Sequence, residues 1–360
     1  MRRYWALILV LGCCAIPSYG WGNRGHKLVA YLAYIHASSD VQARIDQLVS
    51  LNPCYTVKWQ AMVAADTGLT TDLEKRAALF MLAATWPDFI KNDPSDPKEK
   101  NPYDCQQGFK FSKTGDMGTK IGGGESADVA PQVPEAKQNI GYSDTRRHQY
   151  WHFIDLPYTP DKSTTYPALV PNVETELSLL SQSMATKNDP DLNSYDLVWI
   201  AHLMGDLHQP LHDATGFSKA LPNGDAGGNL VHICSTSDSC SAELHAHWDD
   251  LPGADAAPSA IIAQAKKMDT LQGVAGAVTA DFVAWGNTGF AMAEKDAYAK
   301  PFDADAAKVQ ERDMVVAKYD DQAKKDVQSQ IVLAGWRLAQ VLTTALQNRP
   351  DSCCKKPASS

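Results

Sequence analysis

Two histidine–aspartate pairs at helical spacing constrain this chain more than any other feature. In A-H-L-M-G-D-L-H-Q-P-L-H-D, His202 and Asp206 are four residues apart, and in L-H-A-H-W-D so are His245 and Asp249. That spacing sets an imidazole and a carboxylate one turn apart on one helix face. A single such pair is usually an ordinary surface or capping pair. Two of them, each on an otherwise rather apolar helix, would bury unpaired carboxylates at high cost, and a metal ion is a common remedy. Pro210 ends or bends the first helix, and His212 follows it. W-H-F-I-D adds His152 and Asp155, and W-P-D-F-I-K adds Asp88 and Lys91. A zinc bond to nitrogen or oxygen of about 2.0–2.2 Å is within reach of side chains so spaced. His208 and His247 are expected beside such a site or on the surface. His36, His148 and His232 are expected to be structural.

The frame around these pairs is mainly α. Leu28, Val29, Leu32, Ile35, Val41, Ile45 and Leu48 recur at helical spacing from His26 to Val49. Thr71 and Glu74 form a capping box ahead of a helix over Ala77 to Trp86. Further helices fit Val173 to Met184, Tyr195 to Leu207, Ala257 to Met268, Val274 to Asp296 and Ala306 to Gln347, the last with one break. Asn229 to Cys234 is the best candidate for a short β-hairpin. Asn92 to Gly141 is rich in Gly, Pro, Asp and Lys without periodicity, so it is a functional loop or an insertion. Lys219 to Gly228 is a second, glycine-rich loop. No Pro/Gly/Ser-rich linker or internal repeat divides the chain, so one domain over 21–350 is expected, with a tail over 351–360.

Residues 1–20 read as a secretory signal peptide. Arg2 and Arg3 precede an apolar run from Trp5 to Ile16, and Ser18 and Gly20 are the small residues a signal peptidase requires. Cleavage there makes Trp21 the first mature residue. The alternative is lipoprotein cleavage at Val10-Leu11-Gly12-Cys13, which keeps Cys13 at the terminus and leaves Trp21 internal. No later segment is apolar and long enough to span a bilayer, so a secreted or periplasmic protein with no membrane partner is expected. The formal net charge is −9, and loss of Arg2 and Arg3 makes it more negative. Such a chain has no overall attraction for nucleic acid, so any phosphate-binding role must be local. Cys54, Cys105, Cys234, Cys240, Cys353 and Cys354 remain, an even set in an exported chain, which favours disulfides. Cys234 and Cys240 are expected to close a short loop. A vicinal Cys353–Cys354 bond would be strained, so each is expected to bond to Cys54 or Cys105.

A free amine at Trp21 would titrate near pH ~8, so a metal can displace its proton. Amine and carbonyl oxygen together make a five-membered chelate, and His26 could complete that site. In order, W-G-N-R-G-H, W-P-D-F-I-K, W-H-F-I-D, H-L-M-G-D-L-H-Q-P-L-H, G-G-N and L-H-A-H-W-D resemble the S1/P1 nuclease family. The motifs run from Trp21 to about Asp249.

The resemblance implies a mainly α fold shared with zinc-dependent phospholipase C, three zinc ions, and cleavage of single-stranded DNA and RNA to 5′-phosphorylated products. It also implies removal of 3′-phosphate from nucleotides. Carried over by motif, one zinc falls to Asp88, His152, His202 and Asp206, and a second to His212, His245 and Asp249. The third falls to Trp21, His26 and the other oxygen of Asp206. A hydroxide between the first two ions is the implied nucleophile. Asp88 and Lys91 are the implied catalytic residues, Lys91 facing the scissile phosphate. Phe153 would stack on a base and Asp155 would hydrogen-bond its edge, which requires an unpaired base. Asn229 is a further base or phosphate contact. A monomer is expected. Two rival functions stand beside this one: a phospholipase C of the same fold, and a non-catalytic exported zinc-binding protein.

Overall fold

The computed structural model describes residues 21–90, 139–143, 148–236, 239–269, 280–299, 308–310 and 316–356. The signal peptide with Cys13, Lys91, Cys105 and nearly all of the 92–141 loop lie outside these residues.

The periodicity from His26 to Val49 belongs to two helices, α1 (Asn23–His36) and α2 (Ser39–Val49). Ala37 is extended, and the Ser38 side chain accepts from Val41 N at 3.4 Å, restarting the helix as an N-cap. After α3 (Gln60–Ala65), the Thr71–Glu74 capping box forms as expected and opens α4 (Asp72–Ala83). The one-turn α5 (Trp86–Phe89) follows. A second capping box, Asn172 with Thr175, opens α6 (Val173–Thr186). Asp189 caps α7 (Pro190–Asp206), with Pro190 in its first turn, where no backbone N–H is needed. The remaining helices are α8 (Pro210–Asp213), α9 (Leu244–Asp250), α10 (Pro258–Met268), α11 (Phe282–Met292) and α12 (Val316–Leu346).

Two of these helices are buried almost all round. Every residue from Gly25 to Tyr34 on α1 and from Asn193 to Asp206 on α7 is inaccessible. A helix apolar on all faces must lie inside its neighbours. Accordingly α1 packs on α4, α7, α10 and α12, and α7 packs on α1, α2, α6 and α12. Gly335 lets α12 close on α1, since a Cβ there would overlap the Leu32 side chain. Among the described residues no helix is long and apolar enough to cross a membrane.

Strands are few. β1 (Leu156–Tyr158) and β2 (Ala214–Gly216) form a parallel two-stranded ribbon, Leu156 opposite Ala214 and Tyr158 opposite Gly216. β3 (His232–Thr236) and β4 (Ser239–Glu243) form the hairpin, set slightly later in the chain than expected. The Cys234–Cys240 disulfide closes it. β5 (Lys308–Gln310) pairs parallel with β3, so residues 308–310 are strand where the helix expected from Ala306 would run; that helix is described over Val316–Leu346. The open edge of β3 supplies those residues with hydrogen-bond partners that local periodicity does not register.

One expected pairing is overturned. Cys353 and Cys354 bond to each other, not to Cys54 or Cys105. Cys54 is disulfide-bonded separately, which leaves the two C-terminal thiols for one another. Asn193 Nδ2 donates to Cys353 O at 2.8 Å and holds that turn against the buried end of α7.

Candidate metal centre

Six segments deliver the expected histidines and aspartates to one buried place. α1 brings His26, α5 brings Asp88, and the turn Gln149–His152 brings His152. α7 brings His202 and Asp206, α8 brings His212, and α9 brings His245 and Asp249. None of these side chains is more than 7 % exposed.

Asp206 lies at the centre. Its Oδ2 is 2.8 Å from His152 Nδ1 and 3.2 Å from His202 Nε2, while Oδ1 is 3.5 Å from His26 Nε2 and 3.8 Å from His212 Nδ1. The carboxylate therefore faces two groups at once. Asp88 stands across from it, 3.4 Å from His202 Nε2 and 3.8 Å from His26 Nε2. His26 and His202 stack with ring centres 3.8 Å apart. Among the described residues, three sets of ligand atoms lie close enough to hold a metal ion: His26, Asp88 and His202; His152, His202 and Asp206; and His212, His245 and Asp249.

The chemistry of these donors fits cations. A carbonyl oxygen can only accept, so a ring nitrogen bonded to one must carry the proton. His202 Nδ1 donates to Ala84 O (2.8 Å), His212 Nδ1 to His152 O (2.6 Å) and His245 Nδ1 to Gly227 O (2.6 Å). With Nδ1 so bonded, Nε2 is the atom each ring turns towards the cluster, the usual orientation of a metal-binding imidazole. The Nε2 atoms of His212 and His245 face each other at 3.2 Å. At that distance both atoms can reach a single ion.

His208 provides the contrast. Its Nδ1 donates to Met204 O in the same way, but Nε2 accepts from Arg337 Nη1 at 2.8 Å. Arg337 in turn lies 4.5 Å over the Trp285 ring. A guanidinium meets this ring's lone pair, so His208 supports the end of α7 from outside the cluster.

The protein's own charges balance the site only in part. Burial opposes protonation of His202, but Asp206 and Asp88 outweigh it and push the ring up to about 10. Burial holds His26 down at about 3, with His202 adding repulsion. Burial also drives the Asp249 carboxyl well above its ordinary range; a hydrogen bond from Gln209 opposes this, and Asp206 and Asp88 add repulsion. A protonated His202 could serve Asp88 and Asp206.

Trp21 is fully buried beside this cluster. A Cβ on Gly25 would meet its side chain, and Gly22 N donates to Asp249 O at 3.1 Å, tying the start of α1 to α9. Gly205 is required for the approach of His26, because a Cβ there would come within 2.6 Å of His26 Nδ1. Phe153 is half-buried in extended backbone, and Asp155 has a left-handed φ of 61°. Their segment is clamped to α8, since Ile154 N donates to His212 O at 2.8 Å. Asn229 uses its amide within its own loop, Nδ2 donating to Ala226 O at 2.6 Å. His36 pairs with Asp269 and stacks on Trp336, His148 stacks on Trp151, and His247 pairs with Asp320.

Sequence reasoning missed Gln209. It is buried, donates from Nε2 to Asp249 Oδ1 (2.7 Å) and accepts at Oε1 from Leu211 N (2.6 Å). Its place between His208 and Pro210 in the histidine-rich motif was the available signal. It missed Gly227 as well, whose carbonyl orients His245 from a left-handed φ of 62°.

Fold and site together define a helical protein with a buried histidine–aspartate cluster able to hold several metal ions. The chain belongs to the S1/P1 nuclease family, whose pattern it matches over residues 21–347. It is similar to Nuclease S1 of Aspergillus oryzae, 27% identical over 153 residues, covering 40% of this chain and 48% of that protein. The aligned part thus spans about half the length of that curated relative.

Proposed function

We propose that this protein is an exported, monomeric, zinc-dependent nuclease. It hydrolyses phosphodiesters of single-stranded DNA and RNA to 5′-phosphorylated products and also acts as a 3′-nucleotidase. Family membership supports the reaction class. The observation that carries the metal reading is the buried convergence of His212, His245 and Asp249, whose ligand atoms lie close enough together to hold one ion. The signal-peptide reading of residues 1–20 and the Cys234–Cys240 disulfide support export.

In this reading Asp88, His152, His202 and Asp206 hold one zinc, and His212, His245 and Asp249 a second. The amine and carbonyl of Trp21 hold a third, with His26 and the other oxygen of Asp206. When bound, zinc supplies Lewis acidity: it lowers the pKa of water towards neutrality and stabilises charge building on the phosphoryl oxygens. The chain's own residues do the rest. Asp206, approached from both sides, keeps the two ligand groups in register. Gln209 turns the Asp249 carboxylate towards His245. Phe153 stacks on an unpaired base, Asp155 accepts from its edge, and Lys91 faces the scissile phosphate, with Asn229 lining the approach. Water attacks phosphorus, the P–O3′ bond breaks, and the proton balance is restored on the leaving 3′-oxygen.

The purified protein is to be incubated with a single-stranded oligonucleotide and, in parallel, with phosphatidylcholine micelles. Oligonucleotide cleavage leaving 5′-phosphates is expected. Lipid cleavage without oligonucleotide cleavage would overturn the proposal in favour of a phospholipase.

A further inference from the structure

The β1–β2 ribbon leads directly out of the cluster. β1 starts four residues after His152 and β2 two residues after His212, and the strands run parallel. Phe217 N donates to Tyr158 O at 2.8 Å, which carries the ladder one step further. Aromatic rings follow the same line. Tyr158 stacks on Tyr298 with centres 5.0 Å apart, and Tyr298 donates from its hydroxyl to Asp225 Oδ1 at 3.0 Å. Asp155 lies near enough to Tyr298 to act on it electrostatically. At the far end Phe217 is buried, and Tyr166 packs on it with ring centres 6.0 Å apart.

Tyr166 is 47% exposed. Its loop is pinned in place: Asp161 accepts from Ser163 N at 2.8 Å and from Lys219 N at 3.1 Å, joining the loop to the segment after Phe217. Lys162 and Lys219 flank that joint, and both are exposed. An exposed aromatic ring braced from below, on a loop whose joint carries two exposed cations, is a combination that holds single-stranded nucleic acid irrespective of sequence. Five residues of strand from His212 to Phe217 span at most about 17 Å, a few nucleotides of extended chain.

We propose that Tyr166, backed by Phe217 and flanked by Lys162 and Lys219, is a second base-stacking site that holds substrate strand several nucleotides from the scissile bond. The site rests on the nuclease reading above. It predicts that the enzyme gains from substrate length in a way the metal cluster and Phe153 alone do not provide.

The test compares kcat/KM on a dinucleotide, too short to reach Tyr166, with that on a single-stranded octanucleotide. For Tyr166→Ala, the loss on the octanucleotide is expected to exceed that on the dinucleotide by about fivefold or more, mainly through KM. Tyr166→Trp is expected to recover the length dependence. Equal losses on both substrates, or a Trp variant no better than Ala, overturn the site. A Lys162→Gln/Lys219→Gln variant guards against misfolding of the tyrosine variants. Its log KM for the octanucleotide should depend on log salt with a slope reduced by about 1.4, and an unchanged slope also counts against the site. Wild-type protein that cuts neither oligonucleotide overturns the nuclease reading itself. Wild type that cuts both, with no length-selective loss in the variants, removes only the Tyr166 site.

Discussion

Gln209 uses both ends of its amide inside the cluster, one on Asp249 and one on the backbone of Leu211. Groups that orient a metal-binding carboxylate typically matter 10- to 100-fold in metal affinity. Gln209→Ala is therefore expected to lower zinc affinity by about that factor, read by competition with a chromogenic chelator. Affinity equal to wild type would mean that Asp249 is held by other means. Phe153→Ala should weaken cleavage of oligonucleotides at least about fivefold more than cleavage of an activated aryl phosphodiester. Equal losses on the two substrates would remove Phe153 from base binding. At this scale the ligand types and their spacing were legible in the sequence. The backbone carbonyls of Ala84, His152 and Gly227, which set the ring tautomers, were not, because a carbonyl carries no mark of residue type.

At the scale of elements, one helix cap was legible, while those of Ser38, Asn172 and Asp189 were not read. The capping box at Thr71 and Glu74 was readable because both partners lie within one turn of each other. Its carboxylate does more than cap: Glu74 accepts from Lys266 on α10 at 2.8 Å and from Thr70 N at 3.0 Å. With the Lys266 bond the largest cause and the backbone N–H groups next, the Glu74 carboxyl is held down at about 2, against an ordinary 4.5. A depressed carboxylate stabilises the fold above its unfolded pKa and loses that contribution as pH falls through the folded value. Glu74→Gln should therefore be less stable than wild type by about 1 kcal/mol at pH 6, a figure limited by solvent screening. The gap should close between pH 4.5 and 2. Thermal unfolding of both proteins across that range checks this, and a gap independent of pH would assign the effect to something other than the charge. The β1–β2 ribbon and β5 were not legible, since three-residue strands are defined by a distant partner rather than by their own alternation.

For the whole molecule, the cluster joins segments from Trp21 to Asp249, so metal binding and folding are coupled. Chelation at neutral pH is expected to lower Tm by about 10 °C or more and added zinc to restore it, as a ligand whose Kd lies far below its free concentration requires. A Tm indifferent to chelator would contradict a metal-holding cluster. A methionine retained before Trp21 should remove one zinc from the count by elemental analysis, because the amine would then lie one residue away. Full occupancy would exclude the amine as a ligand. The sequence by itself determined the mainly α class, the i, i+4 pairs and the identity of the histidines and aspartates that meet. The class and the pairs follow from a period of 3.6 residues, a local property, and the set that meets follows from the resemblance carried by the six motifs. Only the tertiary structure decided that Gln209 belongs to the site, that the Gly227 carbonyl orients His245, and that Cys353 pairs with Cys354. Each of those outcomes depends on which distant segment arrives beside a side chain, and that is settled by packing around α1 and α7, which sequence spacing does not encode.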